Sequence, residues 1–292
     1  MAMSDELVIR NMDRAEIDEL VEWAAAEGWN PGLHDADLFW ATDPAAFIAA
    51  DLDGALIGGG AITSYQGEFG FMGFFIVRPE YRSRGMGNTI WCARRDRLLA
   101  RLHRGASIGM DGVFAMQDYY SRGGFVFSHR NLRFRADVPH PVKAPTTEDR
   151  HITLLQNVPF SRVLEYDRGC FPAPRPVFLK AWIEQPDALA LGSQSDGRLQ
   201  GFGVVRRCRE GCKLGPLFAD NAATAKALYL QLAAFAAGGP LFLDAPENNP
   251  AAMALVKEQQ MTEVFGCARM YLGQPPALSH ERIYGVTTFE LG

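Results

Sequence analysis

Residues 82–88, Arg-Ser-Arg-Gly-Met-Gly-Asn, have the types and spacing to hold a phosphate-bearing ligand. They follow the apolar run Phe74-Phe75-Ile76-Val77, which Pro79 stops, and they lead directly into a helical pattern. A loop at a helix N-terminus can aim several backbone N–H groups at one anion. Gly85 and Gly87 let that backbone approach closely, and the helix dipole favours negative charge there. Arg82, Ser83, Arg84, Gly85, Met86, Gly87 and Asn88 are therefore read as a pyrophosphate cradle, in which the N–H groups of the arginines count for more than their side chains. Two commoner nucleotide loops do not fit: a dinucleotide G-x-G-x-x-G would need glycine where Ile90 stands, and the P-loop Gly-Lys-Ser/Thr is absent. A second polar group, Trp29-Asn30-Pro31-Gly32 with His34-Asp35, sits in a loop. His34 with Asp35 reads equally as an acid–base pair or as loop polarity. Cys208 and Cys212 flank a turn with no further ligands nearby, so no metal is expected, and no G-x-S-x-G of a serine hydrolase occurs.

The elements that must position these residues follow from periodicity. Residues 7–10 read as a strand, and a helix starts at Asp13, with Glu16 at the capping-box position and Ile17, Leu20, Val21 and Ala24 at helical spacing. Sheet hairpins follow over 46–77, with turns at Asp53-Gly54 and Gln66-Gly67. After the cradle come a helix to about residue 104, a strand ending near Asp111, a short helix at 117–122 and a closing strand over 125–135. Arginines 94, 95, 97, 101 and 104 on the first of these helices read as its solvated outer face. Residues 137–150, with Pro139, Pro141 and Pro145 and no apolar period, read as a linker. The pattern then restarts with a strand at 151–154, a helix at 158–170, a hairpin about Asp196-Gly197, a strand at 214–218, a helix at 221–237 and a strand ending on Asp244. Asp53-Gly-Ala-Leu-Ile-Gly-Gly-Gly and Asp196-Gly-Arg-Leu-Gln-Gly-Phe-Gly share their Asp, Leu and three of their glycines in register, which marks a divergent internal repeat.

A chain of 292 residues suits two domains, each with its own core, and 48% hydrophobic residues with 22% charged exclude a disordered or fibrous chain. The net charge of −5 gives no electrostatic reason to bind nucleic acid or an anionic membrane, so a small-molecule partner is expected. Five cysteines without a C-x-x-C pair predict reduced thiols, and the absence of an apolar leader near Asp5 and Glu6 predicts a cytoplasmic protein.

R-x-x-G-x-G behind Val77-x-Pro79, together with Tyr120-x-x-x-Gly124-Phe125, resembles the GNAT superfamily of acyl-CoA N-acyltransferases. The second half, through Gly215-Pro216-Leu217, the run from Asp244 to Asn249 and Ile283-Tyr284-Gly285, resembles the C-terminal domain of the YitH/HolE-type tandem acetyltransferases. It lacks the cradle, and Val256 stands where the tyrosine would be. The resemblance implies an α/β (α+β) fold of two tandem GNAT-like domains, each a mixed, mostly antiparallel sheet flanked by helices: 1–136 with the cofactor site, and 151–292 degenerate. It implies an acetyl-CoA-dependent N-acetyltransferase acting by direct transfer on a small-molecule amine, without metal, as monomer or homodimer. The alternative is a non-catalytic acyl-CoA-binding sensor. It further implies that the backbone of Phe75, Ile76 and Val77 pairs with the pantetheine arm, that Tyr120 is the general acid, and that Tyr119 is a packing residue. Related enzymes often carry a glutamate on the strand before the loop as base, but residues 69–77 hold no acid. Asp111, Glu68 or His34 through a water are the substitutes; Asp111 also reads as a loop cap, as does its echo Asp244. Trp29, Asn30, His34 and Asp35 are the expected acceptor contacts.

Overall fold

The computed structural model describes residues 6–137, 151–236 and 238–292. The expected linker, save for Asp137, lies outside them. The first half runs β1 (Leu7–Asn11), α1 (Arg14–Ala26), α2 (Asp35–Thr42), β2 (Phe47–Leu52), β3 (Ala55–Tyr65), β4 (Phe69–Val77), α3 (Met86–Leu99), β5 (Ser107–Val113), α4 (Gln117–Arg122) and β6 (Val126–Ala136). The second half repeats that order: β7 (Ile152–Leu154), α5 (Phe160–Arg168), α6 (Pro176–Glu184), β8 (Ala188–Ser195), β9 (Arg198–Arg207), β10 (Cys212–Ala219), α7 (Ala222–Ala233), β11 (Leu241–Pro246), α8 (Pro250–Glu258) and β12 (Thr262–Leu272). It then adds β13 (Ile283–Gly285).

Local chemistry accounts for many boundaries. The Asp13 carboxylate accepts from Glu16 N at 3.1 Å, and Glu16 accepts from Asp13 N at 2.9 Å, closing the capping box of α1. Asn221 and Asn249 cap α7 and α8 through side-chain oxygens that accept from backbone N–H of the first turn. The two Asp-Gly turns adopt φ of 52° and 82° at Asp53-Gly54 and 49° and 72° at Asp196-Gly197, the left-handed pair that a two-residue hairpin requires.

The β-strands form one mixed, mostly antiparallel sheet in the order β1-β2-β3-β4-β5-β12-β6-β11-β10-β9-β8-β7. Exchanging the halves leaves this order unchanged, so the repeat is a pseudo-twofold. The closing strands have traded places. β6 pairs with β11 of the second half, and β12 lies between β5 and β6. The expectation that 125–135 closes its own half is corrected accordingly. So is the expectation of two separate cores: a cluster containing Leu20, Phe39, Phe74, Trp182, Phe202 and Leu291 spans both halves. At its centre Phe39 of α2 stacks on Trp182 of α6, with ring centroids 6.3 Å apart. Both helices were absent from the sequence reading, and both form the contact between the halves.

Buried Asp–Arg pairs clasp the exchange. Arg133 on β6 donates to both oxygens of Asp244 on β11, at 2.6 and 2.8 Å. Arg269 on β12 does the same to Asp111 on β5, at 2.8 and 2.6 Å. The echo of Asp111 in Asp244 is thus a structural device.

The face expected to be solvated on α3 also needs correction. Arg94 is 1% exposed and donates to Ala61 O at 2.7 Å and Gly73 O at 2.5 Å, where a bulge disturbs the β3–β4 register. Burial pulls its guanidinium down to about 10. Arg97 donates to Ile9 O, and Arg101 pairs with Asp43. Among the described residues no helix is long and apolar enough to cross a membrane.

Candidate active site

β4 and β5 run parallel only from Phe69 to Met72 and then part, leaving one edge of β4 open from Gly73 onward. A groove follows that edge, walled by Phe75, Ile76 and Val77 on one side and by Val113, Met116, Tyr119 and Tyr120 on the other. Arg82, Ser83, Gly85, Gly87 and Asn88 close its far end. The loop is held in a concave shape by Ser83 at φ 62° and Gly85 at φ 84°, after which α3 begins without a side-chain cap. Only glycine adopts the Gly85 conformation without strain. The Arg82 side chain is committed to protein partners: its Nε donates to Val77 O at 2.7 Å and it pairs with Glu27. Arg84 lies over the Tyr81 ring at 5.6 Å, and Met86 packs on the cluster of Ala50, Ile57 and Ile90. These residues offer the groove backbone rather than side chains.

A Cβ on Gly87 meets nothing closer than Val77 Cγ2 at 3.9 Å, so a larger side chain is tolerated and projects beside the loop. Gly87→Glu is therefore expected to fold normally while repelling phosphates. CoA at about 100 times its Kd stabilises a protein by about 2.7 kcal/mol, and the corresponding rise in Tm should vanish in the variant. An undiminished rise would show that the loop does not hold the cofactor.

The equivalent opening in the second half is filled. β10 and β11 pair over Cys212–Leu214, after which β13 takes up the edge of β10 at Leu217 and Phe218, and Val286 N donates to Asp244 O at 2.8 Å. Titration calorimetry is expected to find one CoA per chain. Two equivalent sites would mean that β13 is displaced.

Beyond the gap between β4 and β5 the groove meets a second cavity, and Trp29, Phe75, Val113 and Tyr120 line both spaces. The rest of the cavity wall includes Met72, Phe74, Met110, Phe265, Phe289 and Glu290, so the second half contributes directly to it. Tyr120, on α4, is 5% exposed and stacks on Trp91, and its hydroxyl makes no hydrogen bond to any described residue. Burial pushes its phenol up to about 12, against a smaller pull downward from Arg94. Tyr119 lines the groove only and donates to Asn88 Oδ1 at 2.8 Å. Cys267 also faces the cavity. Burial, helped by Asp111, pushes its thiol well above the usual range, so it offers no thiolate to carry an acyl group.

Of the four expected acceptor contacts only Trp29 reaches the cavity. Its carbonyl is pinned by Arg133 Nη1 at 2.8 Å and Lys213 Nζ at 2.9 Å. Asn30 exchanges hydrogen bonds with the backbone of Glu210, and His34 Nε2 lies 2.9 Å from Asp187 Oδ2 near the surface. Asp35 opens α2 rather than lying in a loop, is fully buried, and pairs with Arg206 at 3.0 and 3.2 Å. Burial alone would raise its carboxyl; Arg206 and Lys213 hold it below the usual range. These three polar residues join the halves because an ordered crossing of the chain leaves polar groups that need partners. The base candidates fare similarly. Glu68 is exposed in the β3–β4 turn, and the Asp111 carboxylate, though it borders the cavity, is held bidentately by Arg269 and receives Asn131 Nδ2 at 2.8 Å. Sequence reasoning missed Glu290, which carries no motif.

β4 and β5 thus part beside the glycine-bearing N-terminus of α3, in a chain whose fold is doubled. The chain belongs to the GNAT acetyltransferases and is a tandem acyltransferase of that family: the Acetyltransferase (GNAT) family matches residues 14–125, and the Acetyltransferase (GNAT) domain family matches 163–285. It is 26% identical over 284 residues to the holothin acyltransferase of Pseudoalteromonas sp. (strain SANK 73390), covering 93% of this chain and 90% of that one. Its fold is similar to that of a putative acetyltransferase from Pyrococcus horikoshii, with TM-score 0.83 at 22% identity over 100% of this chain and 98% of the other. A tandem GNAT protein from the clavulanic acid biosynthesis pathway is similar at TM-score 0.64 and 14% identity, over 93% and 99%.

Proposed function

We propose that the protein transfers the acetyl group of acetyl-CoA directly to the amine of a small-molecule acceptor. The observation that carries this reading is the meeting of groove and cavity at Tyr120, where a thioester and a second substrate could touch. The pyrophosphate lies on the 82–88 loop and the pantetheine arm along Phe75, Ile76 and Val77. The amine attacks the thioester carbonyl from the cavity side, and the open edge of β4 supplies backbone N–H to the developing oxyanion. The Tyr120 phenol donates to the departing sulfur. With Cys267 held as a thiol, a covalent acyl-enzyme has no nucleophile in the cavity, which favours direct transfer.

The test is thiol release from acetyl-CoA across a panel of amines, amino acids, polyamines and peptides. Release that requires an amine supports the reading. Tight CoA binding without release for any acceptor would indicate the sensor instead.

A further inference from the structure

Glu290 is held in the cavity wall by a segment clamped on both sides. Tyr65 of the first half donates to Leu291 O at 2.7 Å. Arg175 of the second half donates to Gly292 O at 3.0 Å and to Thr287 Oγ1 at 2.9 Å. The Glu290 carbonyl lies directly over Gly73, where an added Cβ would stand 1.7 Å from it, so the segment rests on β4 only because that residue is glycine. Glu290 is 4% exposed, and its carboxylate receives a hydrogen bond from Thr288 Oγ1. It makes no ion pair within 4 Å among the described residues, whereas the other cavity carboxylate, Asp111, is held by Arg269. Arg133, Arg206, Lys213 and the Cys267 thiol lie within electrostatic reach of it. Both guanidiniums are committed elsewhere, to Asp244 and Asp35, and the Lys213 ammonium to Trp29 O.

We propose that Glu290, delivered by the second half, is the general base of the first half's site, and that the acceptor is a compact monoamine with an apolar body. This rests on the amine-acetylation reading above. The acceptor class follows from the wall. Met72, Phe74, Met110, Phe265 and Phe289 present apolar surface, and Glu290 is its uncommitted charge. A polyamine would bury a second cation without a partner there, and an amino acid would bury a carboxylate. In the reaction Glu290 takes one proton from the acceptor ammonium. The freed amine forms the C–N bond, and collapse of the tetrahedral adduct breaks C–S. Tyr120 hydrogen bonds the departing thiolate, which takes up the proton that the adduct nitrogen releases, and Glu290 returns its proton to solvent. The products are the amide, CoA thiol and one proton.

The test uses acetyl-CoA with benzylamine and 2-phenylethylamine as apolar monoamines, and with spermidine and glycine as polar ones. The wild type should turn over the first pair at least tenfold better in kcat/KM. Glu290→Gln should lower kcat/KM for benzylamine by about 10²–10⁴-fold, move the acidic limb of the pH–rate profile up to the titration of the free amine, and leave KM for acetyl-CoA and Tm unchanged. A structural role would instead lower Tm and keep the limb. If Glu290→Gln does not fold, Glu290→Asp decides: a reduced kcat with the acidic limb retained supports the base, and a wild-type kcat overturns it. No turnover of any amine by the wild type removes the acetylation reading and this one with it. Turnover that survives unchanged in Glu290→Gln removes the base alone, and preference for spermidine or glycine removes the acceptor class.

Discussion

Replacing Tyr120 by Phe is expected to lower kcat by about 10- to 1,000-fold while leaving the CoA-induced rise in Tm intact. The hydroxyl stands where groove meets cavity and has no partner among the described residues, so its removal leaves none of them unpaired. A phenol pushed up to about 12 is fully protonated throughout the neutral range. A departing CoA thiolate has a conjugate-acid pKa of about 8.5. Full proton transfer from such a phenol is therefore uphill, and the phenol works mainly by hydrogen bonding the sulfur as charge builds on it. The pH profile should accordingly show no basic limb from this group below about pH 12. Tyr119→Phe is the contrast. It removes the bond to Asn88 Oδ1 at the start of α3, so its effect should fall on KM for acetyl-CoA rather than on kcat. Wild-type turnover by Tyr120→Phe under saturating acceptor would assign the donor role to another group or to water.

The features that sequence reasoning recovered are those whose chemistry is local. The capping box of Asp13 and Glu16, the two Asp-Gly turns and the glycine-bearing turn into α3 each act within a few residues, and the short helix at 117–122 lies in one stretch. What was missed depends on distant partners. α2 and α6 are short, and each buries its apolar face on the other half, so neither periodicity nor caps announce them. The strand exchange pairs residues more than a hundred positions apart, which no local pattern encodes. For Arg94 a signal was present: Ile90, Arg94 and Leu98 recur at i, i+4 and i+8, which places the arginine on the buried face. Polarity suggested solvent, whereas the bulge in β3 and β4 supplies two carbonyls that need a donor. Asp35 misled for the same reason in reverse, since beside His34 it read as an acceptor contact and it serves Arg206. Glu290, between Phe289 and Leu291, has no sequence context that marks it; only the placement of its segment over Gly73 brings it to the site.

Arg269→Met should destabilise the whole chain by about 3–5 kcal/mol, because it leaves the Asp111 carboxylate buried with Asn131 as its remaining donor. The size follows from an asymmetry: removing one member of a buried pair leaves an uncompensated charge, whereas replacing both by apolar groups of similar volume removes the charge and its desolvation together. The double variant Asp111→Leu with Arg269→Met is therefore expected to recover most of the loss. The exposed pair Lys226–Glu258 provides the scale, since Lys226→Met should change stability by no more than about 1 kcal/mol. Topology adds a second expectation. Asp111 is on β5 and Arg269 on β12, the strand that the second half lends to the first, and Arg133 with Asp244 returns the exchange on the other side. Neither half can complete its share of the sheet alone, so urea should unfold the wild type and Arg269→Met in one transition, with both halves lost together and the midpoint lowered. Two resolved transitions would show that each half keeps its own stability despite the exchanged strands. A loss below about 1 kcal/mol in Arg269→Met would mean that water reaches Asp111 once the guanidinium is gone, and the clasp would then matter little to the fold.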